Sequence, residues 1–208
     1  MPKLWTTGAP SAIELTEIAA LLRAGGVALL PTDTIYGLHA VATDERAITR
    51  IAEVKGRDEG KPFVVIAASL AQLESIGAVI EPGLRLALQS LWPAPLTAVL
   101  PLRYPIAASR GIATLAARVP DLSWLRALLE TIGPLASTSA NRSGEPPIET
   151  PAQLAPALRE RIDGIVDSGP HSGEASTIVD FTGEEPRIVR DVNSFFTQKV
   201  WKSLRKTL

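Results

Sequence analysis

Apolar residues in the first quarter of the chain recur with two different periods. Leu15, Ile18, Ala19 and Leu22 repeat at helical spacing behind Ser11 and Glu14, which stand at capping-box separation, and Gly25-Gly26 ends the run. This predicts a first helix. Val27 to Leu30 is instead a continuous apolar run closed by Pro31, the pattern of a buried strand that delivers a polar loop, PTDTIYGL at residues 31–38, to a sheet edge. From Asp44 to Val54, Ala47, Ile48, Ile51 and Ala52 share one helical face behind two acids in the first turn, predicting a second helix that leads straight into Lys55.

The two periods then take turns. Phe63 to Ala67 reads as strand, Ser69 to Ile76 as a capped helix, Leu84 to Trp92 as helix, Leu96 to Leu100 and Thr114 to Val119 as strands. Asp121 to Ile132 reads as a helix stopped by Gly133, and Leu135 to Ser137 as a strand emptying into a polar loop at 137–144. Thr150-Pro151 marks a further helix start, Gly164 to Asp167, Thr177 to Phe181 and Arg187 to Val189 read as short strands, and Asn193 is placed to cap a last helix. The late strands are too closely spaced for helical crossovers, so the expected fold is an α/β domain whose sheet is mixed rather than purely parallel. With neither repeat nor linker in view, residues 1–208 read as one domain.

Composition narrows the chemistry. The chain is 46% hydrophobic and 21% charged with a formal net charge of −1, so the strong basic excess expected of a nucleic-acid-binding surface is missing, although a local basic patch is not excluded. It has no cysteine, which removes disulfides, thiolate zinc sites and cysteine nucleophiles. Met1 to Pro10 does not read as a secretory signal, and the 17-residue uncharged run from Leu86 to Leu102 is broken by Pro93, Pro95 and Pro101, so no membrane span and a cytoplasmic location are expected.

Three polar segments are candidates for binding. Lys55 and Arg57 flank Gly56, and in extended backbone both side chains would point the same way to grip a polyphosphate, with Lys61 close by; a solvated turn neutralised by Asp58 and Glu59 is the plainer alternative. A Walker loop is absent, because Lys55 stands where its first glycine belongs and Pro62 replaces its Ser/Thr. In PLASTSANRSG, residues 134–144, Ser137, Thr138, Ser139 and Asn141 follow an apolar strand and could cradle a ligand or simply form turns. Thr114, Ala116 and Arg118 share one strand face, so a carboxylate could sit between Thr114 and Arg118, unless Arg118 merely pairs with an acid such as Asp121. The two histidines, His39 and His171, lack partners at metal-ligand spacing and take no assigned role; no residue is assigned to a metal.

Taken together, PTDTIYGL at 31, KGRDEGKPF at 55, WPAPLTAVL at 92, AARVP at 116, STSANRSGEPP at 137 and STIVDF at 176 resemble the YrdC/Sua5 family, in order, from about Val27 to Arg190. The resemblance implies a twisted mixed sheet with flanking helices and a concave site. It implies synthesis of L-threonylcarbamoyladenylate from ATP, L-threonine and bicarbonate with release of pyrophosphate, the first step of N6-threonylcarbamoyladenosine formation on tRNA.

Carried over by position, Lys55 and Arg57 would be catalytic and, with Lys61, Ser137, Ser139, Asn141 and Arg190, would bind ATP. Thr34, Thr114, Arg118 and Ser176 would bind threonine, Arg118 taking its carboxylate. Mg²⁺ is expected to arrive with ATP, and tRNA and other threonylcarbamoyl-transfer proteins are candidate partners. The chain departs from the family pattern at Ala94, where glycine is usual, at Asp191, where Pro-Gly is common, and at Ile66, where some members carry histidine. It looks like the short form, a catalytic domain alone, ending in a basic amphipathic helix over 193–208 with Lys199, Lys202, Arg205 and Lys206. A hydrogenase-maturation relative is disfavoured by the absence of cysteine zinc fingers. An RNA-binding module without adenylating activity is the alternative from a different class.

Overall fold

The computed structural model describes residues 1–56, 58, 60–141 and 145–207. Its first helix, α1 (Ala12–Arg23), opens on the capping box read from the sequence: the Ser11 amide donates to Glu14 at 2.7 Å, and the Glu14 amide donates back to the Ser11 hydroxyl. Asp44 caps α2 (Glu45–Lys55) by accepting from the amides of Arg46 and Ala47, and Gly56 ends it in the left-handed conformation with φ of 60°. Lys55 is therefore helical, and the expectation that Lys55 and Arg57 align through extended backbone does not hold. Arg57 itself lies outside the described residues.

The remaining helices are α3 (Leu70–Ser75), α4 (Pro82–Leu91), α5 (Ser123–Ile132), α6 (Pro156–Arg159) and α7 (Ser194–Thr207). Asn193 does cap α7, its side-chain oxygen accepting from the Phe196 amide at 3.0 Å. Where Thr150-Pro151 promised a helix, the chain forms a single 3₁₀ turn over Pro151–Gln153 before the four-residue α6. α5 begins at Ser123 rather than Asp121, leaving Asp121 to pair with Arg126 at 3.3 Å and not with Arg118.

The strands are β1 (Lys3–Thr6), β2 (Ala28–Leu30), β3 (Gly37–Val41), β4 (Val64–Ile66), β5 (Leu96–Pro101), β6 (Thr114–Arg118), β7 (Leu135–Ser139), β8 (Gly164–Asp167), β9 (Thr177–Asp180) and β10 (Arg187–Arg190). Among the described residues they form one sheet in the order β1-β8-β2-β3-β7-β4-β6-β5-β9-β10. It is mixed, as expected: β1 with β8, β2 with β8, β4 with β6 and β5 with β9 are parallel, the other neighbours antiparallel.

Each face carries its own core. One is filled from α2, α3, α4 and α7, which contribute Ile51, Leu73, Leu88 and Val200 among others. The basic amphipathic helix α7 packs against α4 of its own domain, burying Val200 and Leu204 while Lys199, Lys202 and Arg205 stay exposed. On the other face α1 and α5 cover only part of the sheet, packing Ile18, Leu22, Trp124 and Leu128 over Ala28, Leu30, Ile66 and Leu135. That partial cover positions the site. Side chains alternate along a strand, so Val64 shares a face with Ile66, and Ser137 and Ser139 share one with Leu135. The strands run out from under the helices, and their exposed ends change from apolar to hydroxyl-bearing residues.

Leu128 is 1% exposed within this second core, whereas Ile13 on α1 is 75% exposed. Leu128→Ala is expected to lower the unfolding free energy by about 2–5 kcal/mol. Ile13→Ala should change it by less than about 0.5 kcal/mol. Urea denaturation of the two variants beside the parent checks both.

Candidate active site

The PTDT loop between β2 and β3 is folded by its own hydroxyls. Thr32 Oγ1 donates to the Ile35 carbonyl at 2.9 Å, accepts from the Thr34 amide at 3.2 Å and lies 2.8 Å from Thr34 Oγ1. A segment following β8 straps across this loop. His171 Nε2 bonds to the Thr32 carbonyl, the Tyr36 hydroxyl donates to the Gly169 carbonyl at 2.8 Å, and Gly173 packs so closely that a Cβ there would sit 1.6 Å from the Thr34 carbonyl oxygen. Thr34 is therefore held from both sides.

Arg118, at the end of β6, reaches the same loop. Its Nη1 donates to Thr34 Oγ1 at 2.8 Å and lies 3.5 Å from Asp33 Oδ1, and both charged side chains are 6% exposed. From the opposite wall Arg190 Nε donates to the Ser176 carbonyl at 2.9 Å, and Ser176 Oγ lies 2.7 Å from Thr97 Oγ1. Between these walls is a cavity of about 170 Å³, lined by Thr34, Ile35, Val64, Thr97, Arg118, Ser137, Ser139, Ser176 and Arg190 among others. Pockets for drug-sized ligands run to about 300–1,000 Å³, so this one suits something the size of a free amino acid better than a whole nucleotide.

The electrostatics favour an anion. Burial holds the Arg118 guanidinium below the usual arginine value, with Asp33 opposing that shift and the charge of Arg190 adding to it; burial also lowers Arg190. Arg118 faces the Asp33 carboxylate while the charge of Arg190 also acts on Arg118, which leaves a positive bias for a ligand to balance.

Of the residues proposed from sequence for threonine, Thr34, Arg118 and Ser176 meet in this cavity. Thr114 does not line it. Thr114 stands four positions before Arg118 along the strand, roughly 13 Å at about 3.3 Å per residue, a span too wide for one carboxylate to bridge. Of the proposed nucleotide residues, Ser137, Ser139 and Arg190 line the cavity. Lys55 and Asn141 meet beyond it, the Lys55 ammonium donating to the Asn141 carbonyl; Lys61 lies outside the lining, on the exposed loop after α2.

Polar residues at the site that the sequence reading did not assign include Asp33, Thr97 and His39. Asp33 sits inside a quoted motif, Thr97 is one hydroxyl in an apolar strand, and His39 was left without a role. His39 pairs with Ser137 across β3 and β7, its Nε2 3.2 Å from Ser137 Oγ. Burial pushes the His39 imidazole down to about 3, so it stays neutral behind the cavity wall.

The family model described as telomere recombination, Sua5/YciO/YrdC, matches residues 20–191, which is most of the chain. The chain belongs to the Sua5/YciO/YrdC family. Relatives within it include the threonylcarbamoyl-AMP synthase of Bacillus subtilis, 36% identical over 85% of this chain, and that of Xanthomonas euvesicatoria, 35% identical over 88% of this chain and 95% of its own length. The chain spans about half the length of some curated relatives, 53% of the Bacillus subtilis enzyme and 52% of that of Pyrococcus abyssi. Among solved structures, Pyrococcus abyssi Sua5 complexed with L-threonine superposes with a TM-score of 0.82 at 32% identity, covering 91% of this chain and 57% of that one. Escherichia coli YciO shares the fold, with a TM-score of 0.81 at 23% identity over 92% of this chain and 96% of that one.

Because unfolded histidine takes up a proton near 6.5 and folded His39 resists it down to about 3, the contribution of His39 is fully present above pH 6.5 and is lost as the pH falls. The loss is expected to approach about 1.4 kcal/mol per pH unit between these values. Urea denaturation at pH 7 and pH 5 should show a shallower decline in His39→Gln than in the parent; equal declines would remove His39 from the account.

Proposed function

We propose that this chain condenses L-threonine, bicarbonate and ATP into L-threonylcarbamoyladenylate, releasing pyrophosphate, as the first step of tRNA N6-threonylcarbamoyladenosine formation. The observation that carries the reading is Arg118, a buried guanidinium bonded to Thr34 at the wall of an amino-acid-sized cavity, in a chain whose relatives are named for this product.

In this reading Arg118 takes the threonine carboxylate in a charge-assisted bond, and the hydroxyls of Thr34 and Ser176 fix the amino acid beside it. The amine is then turned toward Ser137 and Ser139 at the open end of β7. Its nitrogen forms a bond to the carbon of bicarbonate as water leaves, giving a carbamate. A carbamate oxygen attacks the α-phosphorus of ATP, the bond from that phosphorus to the β-phosphate bridging oxygen breaks, and pyrophosphate departs.

Lys55 and Asn141, which touch, are assigned to the phosphates together with Lys61, Ser139 and Arg190, and Arg57 is assigned with them by the family resemblance alone; the cations would neutralise the leaving pyrophosphate. Mg²⁺ would enter with ATP. Among the described residues no group of three or more His, Cys, Asp or Glu is arranged to hold a metal, so its ligands would come from phosphate and water and no step is assigned to the ion. We place the reaction in the cytoplasm, where ATP and tRNA are available, and among the described residues no helix is long and apolar enough to cross a membrane.

Pyrophosphate release from ATP should require both threonine and bicarbonate, and Arg118→Ala should raise the threonine KM by about 10- to 100-fold, the worth of one charged hydrogen bond. Release independent of threonine contradicts the proposal. Salt-dependent tRNA binding with no pyrophosphate release would favour the RNA-binding alternative, for which the exposed Lys199, Lys202 and Arg205 of α7 are suitable groups.

A further inference from the structure

Asp33 is a buried carboxylate that faces Arg118 from outside the cavity lining, and its surroundings are unusual. Both of its oxygens are shielded from solvent without a hydrogen-bond partner, as is Arg118 Nε. A buried charge is ordinarily paired and bonded, because leaving it bare costs several kcal/mol. Asp33 instead faces Arg118 at 3.5 Å, a separation at which charge attraction acts while no hydrogen bond fixes the pair. Among the described residues the Arg118 side chain makes one hydrogen bond, to Thr34, the residue next to Asp33 in the same turn.

The placement of Asp33 is rigid. Thr32 closes the turn around it, and Gly173 is wedged against the Thr34 carbonyl, so the Asp33 backbone is held between two anchored threonines. Asp33 does not line the amino-acid cavity; it lines a neighbouring hollow of about 250 Å³ that shares Thr34 and Ala175 with it. A ligand in the first cavity would therefore meet Arg118 and not Asp33.

Resting on the function proposed above, we infer that Asp33 is a positioning residue for amino-acid binding: it acts through Arg118, steadying the guanidinium from behind so that its ligand-facing edge is presented to the substrate carboxylate. Removing the Asp33 charge leaves Arg118 beside Arg190 with nothing to oppose their repulsion. The guanidinium then loses its orientation, and the effect falls on threonine rather than on ATP.

The test is threonine binding measured by calorimetry, together with the KM for threonine and for ATP, in the parent, Asp33→Asn, Asp33→Glu, Arg118→Lys and the double variant Asp33→Asn/Arg118→Lys. Asp33→Asn, which keeps shape and removes charge, should weaken threonine binding by at least about 10-fold and leave the ATP KM within about 2-fold, since a single charged contact has that worth. Asp33→Glu should recover part of the loss. In the Arg118→Lys background, Asp33→Asn should have little further effect, because residues acting through one another are not additive. Unchanged threonine binding in Asp33→Asn, an equal loss for ATP, or full additivity with Arg118→Lys overturns the inference while leaving the proposed function standing. A parent protein that binds no threonine overturns both. If Asp33→Asn does not fold, Asp33→Glu decides alone: altered threonine affinity with unaltered ATP KM supports the inference, and unaltered affinity for both overturns it.

Discussion

Burying a guanidinium against the face of a sheet is costly unless something of opposite charge accompanies it, and Arg118 has only a partial companion. Asp33 stands near it without a hydrogen bond, Thr34 accepts one hydrogen bond from it, and Arg190 adds a second positive charge from the far wall. Much of the surrounding construction follows from keeping this group where it is. The PTDT turn is locked by Thr32, the strap from β8 to β9 presses Gly173 against Thr34, and Ser176 is held between Thr97 and Arg190. The site is a positively biased hollow whose walls are fixed before any ligand enters, which is how binding energy is reserved for orienting reactants.

The fold supplies the hollow by leaving a face half covered. α1 and α5 pack on one region of the sheet, and the strands continue past them with the same alternation but different residues. Leu135 lies under α5 while Ser137 and Ser139, two and four positions on, line the cavity. Ile66, where some family members carry histidine, belongs to the α5 core, and its neighbour on the same face, Val64, becomes cavity wall. One strand thus serves stability at one end and binding at the other. His39 joins the two roles, being fully buried and neutral while backing Ser137.

The legible parts of the sequence were those governed by local rules. Ser11 with Glu14 and Asp44 with its first-turn amides announced α1 and α2 because a cap is made within a few residues of its helix. β3 was hidden because Gly37, His39 and Ala40 have no strong strand preference; the flanking β2 and β7 impose the conformation. β1 was hidden because its partner β8 lies at the other end of the chain and only Trp5 of its residues is buried. In the site, strand alternation correctly set Thr114 and Arg118 on one face but could not say how far the cavity extends along it. Their functional grouping with Thr34 and Ser176 came from the family resemblance, since residues so far apart in sequence are brought together only by the sheet. Asp33 gave no local signal, because its importance lies in a contact across two distant segments.

The central claim is that the amino acid, not the nucleotide, occupies the cavity under Arg118. A crystal structure of this protein grown with L-threonine tests it most directly. The account predicts the threonine carboxylate within hydrogen-bond reach of the Arg118 guanidinium, its hydroxyl near Thr34 or Ser176, and its amine turned toward Ser137 and Ser139. Threonine bound elsewhere, with Arg118 contacting only Thr34 and Asp33, would contradict it.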